Sequence, residues 1–93
     1  MTQFLVSGSI STDNLFTAPT NLQSYFNLSI SGTWQGTLTV QRSFDFGSTW
    51  YDVKNWTANT QEYGFEPEGG VWYKAGIKTG NYTSGICVVR LSQ

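Results

Sequence analysis

Ser43-Phe44-Asp45-Phe46-Gly47-Ser48-Thr49-Trp50 is the stretch on which the reading of this chain turns. Upstream of it, Leu38 and Val40 alternate with Thr37, Thr39 and Gln41, the period of two that marks a half-buried strand. Downstream, Thr49-Trp50-Tyr51-Asp52-Val53 is rich in residues that suit a pleated surface. Between the two, Gly47 takes positive φ at no steric cost, and Asp45 can accept hydrogen bonds from nearby backbone amides. The segment predicts a β-hairpin closed by a structured turn.

The rest of the chain reads as more of the same. Phe4 to Ile10 sets Phe4, Val6 and Ile10 against Leu5, Ser7 and Ser9, a first strand. Ser11 to Gln23, with Asp13-Asn14, Pro19 and Asn21, reads as a long loop. Its one apolar pair, Leu15-Phe16, either anchors onto the domain's own edge or plugs into a neighbouring subunit. Tyr25 to Ser31 is a strand with Phe26, Leu28 and Ile30 on one face. Gly32 to Gly36 is expected to be a turn, with Trp34 either in the core or at a contact. Gln61 to Phe65 suggests a short strand, and Glu66-Pro67-Glu68-Gly69-Gly70 a turn with both carboxylates in solvent. Val71 to Thr79 and Ile86 to Leu91 are the last strands, and no segment has helical periodicity. The expected fold is all-β: a small antiparallel β-sandwich, jelly-roll or Ig-like, of about seven strands.

With 93 residues the chain suits a single domain, residues 1–93, with residues 1–23 a candidate arm and loop for inter-subunit contacts. Charged residues are 12% of the chain, about half the usual share, while aromatics are 16%. So few charges beside so many rings suggest that a partner covers part of the surface. Phe4, Leu5, Leu15, Phe16 and Trp34 are the candidate partner contacts. In Phe4-Leu5-Val6 successive side chains point to opposite faces, so one sheet cannot bury them all. The five Lys and Arg are scattered, which leaves no basic patch for nucleic acid. The longest apolar run, Ile86 to Val89, is too short to span a membrane, and no secretory leader is visible, so folding in a reducing cytoplasm is expected.

The chain has no His and one Cys, which removes a zinc site of standard type and a Ser-His-Asp arrangement. Cys87 lies in the apolar run of the last strand and is expected to be buried and inert. No Gly-rich phosphate loop is present. No catalytic residue, metal site or cofactor is expected, and the protein is not expected to be an enzyme. Trp34, Trp50, Trp56, Trp72 and Tyr73 could stack on sugars; for Trp50 the core is the expected place.

Ser43-Phe44-Asp45-Phe46-Gly47-Ser48-Thr49-Trp50 resembles the Asp-box hairpin, Ser-x-Asp-x-Gly-x-Thr-Trp, at all five defined positions. That resemblance implies a structural turn built from Ser43, Asp45, Gly47, Thr49 and Trp50. The frame Gly32-Thr33-Trp34-Gln35-Gly36-Thr37-Leu38-Thr39-Val40-Gln41-Arg42-Ser43, with Tyr73-Lys74-Ala75-Gly76-Ile77-Lys78-Thr79-Gly80 and Thr83-Ser84-Gly85, is similar to small structural proteins of tailed bacteriophages. The resemblance covers roughly Gly32 to Leu91. It implies a virion protein, made in the host cytoplasm, that decorates or cements the capsid surface. The implied partners are the major capsid protein and further copies of the chain, in a homo-oligomer, a trimer for choice. The alternative expectations are a carbohydrate-binding adhesion module and a head–tail or tail component.

Overall fold

The computed structural model describes residues 5–93. Among these residues the strands are β1 (Leu5–Ile10), β2 (Leu15–Phe16), β3 (Thr20–Asn21), β4 (Ser24–Gly36), β5 (Leu38–Ser43), β6 (Tyr51–Trp56), β7 (Thr60–Glu66), β8 (Trp72–Ile77) and β9 (Tyr82–Ser92). They form two antiparallel sheets, one ordered β1-β9-β4-β7 and the other β2-β8-β5-β6, with β3 also paired to β8. The fold is a small β-sandwich. Its pairings are nested: β5 with β6 innermost, then β4 with β7, then β2 and β3 with β8, then β1 with β9 outermost. This is the wrapping of a jelly roll, with β2 and β3 as two halves of one interrupted strand.

The core lies between the sheets. Leu28 and Ile30 of β4, Leu38 and Val40 of β5, Tyr73, Ala75 and Ile77 of β8, and Cys87, Val89 and Leu91 of β9 are all buried there. Each set occupies alternate positions, so the period of two places one face inside. Cys87 is buried, as expected, and burial pushes its thiol up to about 11.

Nine strands replace the seven or so expected, and two segments account for the difference. The loop expected over Ser11–Gln23 contains β2 and β3, both hydrogen-bonded to β8. Between them Pro19 has no N–H to offer the ladder. Thr17 bridges the gap: its N–H donates to the Ala75 carbonyl at 2.8 Å, and its hydroxyl accepts the Ala75 N–H at 3.2 Å. The turn expected over Gly32–Gly36 is strand. Gly32 has φ +96° and passes so close to the Ile86 carbonyl that a Cβ there would collide with it. The glycine lets β4 continue beside β9 rather than reverse, and the register between them shifts only between Gln35 and Gly36.

β6 and β7 are the edge strands on one side of the sandwich, and β1 and β2 on the other. On β6, five of six residues are exposed.

Candidate interaction site

The β5–β6 connection is pinned from inside. Buried Ser43 donates its hydroxyl proton to Asp45 Oδ1 at 2.7 Å and accepts the Gly47 N–H at 2.8 Å. Asp45 Oδ1 also accepts the Thr49 N–H at 2.8 Å. The Ser43 hydroxyl first, and then the Thr49 amide, hold the Asp45 carboxyl below its ordinary range. Two consecutive residues, Phe46 at φ +60° and Gly47 at φ +92°, take the left-handed conformation. Glycine does so freely, whereas an aromatic residue is strained there. Phe46 is 87% exposed, so its side chain packs little against the described residues, and the turn's hydrogen bonds hold the strained backbone.

Trp50 is not in the core. It is half-buried and lies over the outer face of the β8 sheet, where Lys74 Nζ sits 4.5 Å from its ring centroid and 4.5 Å from that of Phe16. On that face the Lys74 cation offers the indole a partner. Burial between the two rings lowers the Lys74 pKa. The structure thus brings together two residues that the sequence placed apart, Phe16 and Trp50. Phe16 and Leu15 pair with Gly76 and Ile77, which is the edge-anchor alternative; Gly76 has no side chain where the Phe16 ring lies. Trp34 is half-buried, packs against the core, and donates Nε1–H to Asn59 at 2.8 Å. Leu5 is exposed on β1 and Leu15 on β2, both on the side of the sandwich away from β6 and β7. Phe4 lies outside the described residues. The described part of segment 1–23 runs through both sheets rather than leaving them as an arm.

A second departure is Glu66. The Pro67 turn suggested a solvated carboxylate, yet Glu66 ends β7 only 1% exposed. It accepts the Tyr73 hydroxyl at 2.6 Å, pairs with Arg42 at 3.1 Å, and takes the Glu68 N–H at 3.1 Å. Burial, then the bond to Glu66, push the Tyr73 phenol up to about 12. The Tyr73 hydroxyl is the first cause that raises the Arg42 pKa. This three-residue link ties the sheets together at the end where β5 and β7 finish.

Around that end stand seven of the eleven exposed large apolar side chains found among the described residues: Tyr25, Phe44, Phe46, Tyr51, Val53, Tyr63 and Phe65. Phe44 stacks on Arg42 and on Tyr51, and Tyr25 touches both Tyr63 and Phe65. Sequence reasoning missed these residues. The signal was the alternation Glu62-Gly64-Glu66 against Tyr63-Phe65. The register Leu28↔Glu62 and Phe26↔Gly64 turns the polar set inward and the aromatics outward, the reverse of the usual pattern.

Comparison of the chain with protein-family models, with curated proteins and with solved structures returns no match.

Proposed function

We propose that the chain is a structural protein of a tailed-phage virion that decorates the outer capsid shell as a homo-oligomer, without catalysis. The observation that carries the binding part is the aromatic end just described. Exposed Tyr and Phe beside an Arg is the composition of interface cores, and lone domains seldom expose so many aromatic side chains. The virion part is supported by the resemblance of Gly32–Leu91 to phage structural proteins. A cement subunit works mechanically: contacts to neighbouring capsomers, repeated over many copies, add avidity to a modest interface.

The test is co-sedimentation with purified heads. The double variant Tyr25→Ser with Phe65→Ser, both exposed on β4 and β7, should lose head binding while melting as the wild type does. Binding that survives in that variant would refute the assignment of this surface, and a wild-type chain that binds no heads would refute the decoration reading.

One observation favours a second reading, saccharide binding. On the outer face of the first sheet a shallow pocket of about 390 Å³ is lined by Asn27, Ser29, Gln61, Tyr63 and Arg90. Two amides, a hydroxyl, a guanidinium and one ring are the groups that recognise sugar hydroxyls and a sugar's apolar face. Binding of glycans that is lost in Arg90→Ala would favour it.

A further inference from the structure

Between the edge strands β6 and β7 the sandwich is open to a cavity of about 230 Å³. Its floor is apolar: Phe26, Leu28, Val40 and Leu91. Trp56 forms a wall and exposed Val53 the rim. Trp56 is held in place through its Nε1–H, donated to Glu62 at 2.9 Å, and Lys54 Nζ stands 3.7 Å from the same carboxylate. A dry apolar cavity of about 150 Å³ is known to accept a benzene molecule, so this one has room for a phenyl ring.

The same molecule carries a phenyl ring without a place. Phe46 is the most exposed large apolar side chain among the described residues, at 87%, and fills no pocket formed by them. Its backbone is fixed on both sides by the Ser43, Asp45 and Thr49 bonds, which present the ring at the hairpin tip in one strained conformation. Strain held in place at an exposed position points to use of that position. A rigid aromatic that enters an apolar pocket loses little freedom on binding.

We propose that Phe46 of one copy enters the β6–β7 cavity of a second copy. Knob and pocket are different patches of one surface, so each copy gives one contact and receives another. Such a head-to-tail interface builds a closed ring where the rotation closes. The proposal rests on the homo-oligomer in the decoration reading and identifies its contact.

Sedimentation of four samples tests it: wild type, Phe46→Asn, Val53→Trp, and an equimolar mixture of the two variants. Asn tolerates the left-handed conformation, so Phe46→Asn removes the knob without harming the turn. Val53→Trp closes the pocket from its exposed rim. The expected result is an oligomeric wild type and two monomeric variants, each at least about 30-fold weaker in self-association. The mixture should form a one-to-one dimer that grows no further, because one knob and one pocket remain. Toluene added to monomeric Phe46→Asn should shift the NMR signals of the Trp56 indole and the Leu28 methyls, and should not do so in Val53→Trp. A wild type that is oligomeric together with an equally oligomeric Phe46→Asn would overturn the knob and leave the oligomer standing. A mixture that stays monomeric would also overturn it. A wild type that is monomeric at millimolar concentration would sink both this contact and the oligomer it rests on.

Discussion

Phe46, Asp45 and Glu66 show how much can rest on single side chains in a domain of this size. Phe46 at φ +60° sits where most L-residues lose about 1–2 kcal/mol. At concentrations where the wild type is monomeric, Phe46→Asn should therefore raise stability by about 1 kcal/mol in urea unfolding, an exposed aromatic whose removal helps the isolated fold. Asp45→Ala should lower the urea midpoint, because the Thr49 amide loses its acceptor and the Ser43 hydroxyl its partner. A midpoint left in place would show that the turn does not depend on that carboxylate. Glu66→Ala should cost about 3 kcal/mol, since it strands the buried Tyr73 hydroxyl and uncouples Arg42. Ser43, Asp45 and Gly47 could be read from the sequence because turn chemistry is local. Glu66 could not. Its partners lie 24 residues before it and 7 after it, and only the pairing of strands brings them together.

Among the elements, the interrupted strand formed by β2 and β3 depends on Thr17. The hydroxyl of this residue, which is 6% exposed, serves the Ala75 N–H where a backbone carbonyl would normally do so. Thr17→Val keeps the shape and removes the acceptor, and should cost about 1–3 kcal/mol, whereas Thr17→Ser should retain most of the stability. Equal stability of the Val and Ser variants would show that the bond contributes nothing. The alternation over Phe26 to Ile30, Leu38 to Val40 and Tyr73 to Ile77 was legible because the inward residues there are apolar. β7 was not, because its inward positions are Glu62, Gly64 and Glu66, and the rule that apolar means inside then selects the wrong face. The edge at β6 is defended against strand addition. It carries Asp52 and Lys54, and its register shifts opposite Val40 and Gln41. Contacts at this edge therefore belong to side chains rather than to a shared ladder.

For the molecule as a whole, alkaline pH should be the more informative stress. Cys87 is raised from 9.0 to about 11 and Tyr73 from 10.0 to about 12, both by burial first. A raised pKa gives stability that is complete below the unfolded value and is lost as the pH climbs through the folded one. The loss should begin near pH 9 and continue to about 12. At about 1.4 kcal/mol for each pKa unit, it amounts to several kcal/mol. Lys74 works the other way, since its lowered pKa makes the fold gain stability as the pH approaches 10.5. Urea midpoints at pH 8 and pH 10.5, with Cys87→Ala for comparison, measure this; a variant as sensitive as the wild type would acquit the thiol. On the acid side, Asp45, Asp52 and Glu62 are lowered, by the Ser43 hydroxyl, Lys78 and the Trp56 indole respectively, so stability should fall below the ordinary carboxylate range.

The nested pairing also sets an order of events in time. Arg42 needs to find Tyr51 across a seven-residue loop, numbers 44–50, whereas Leu5 must find Ser92 at the far end of the described chain. Closing the inner hairpin loses little chain entropy, and each outer pair is brought near by the one inside it. Folding should therefore run outward from β5–β6, at the slow pace of a sandwich dominated by long-range pairs. In stopped-flow kinetics, Val40→Ala should chiefly slow refolding, and Val6→Ala should chiefly hasten unfolding. The hairpin that offers its ring to the outside would then also be the place where the fold begins.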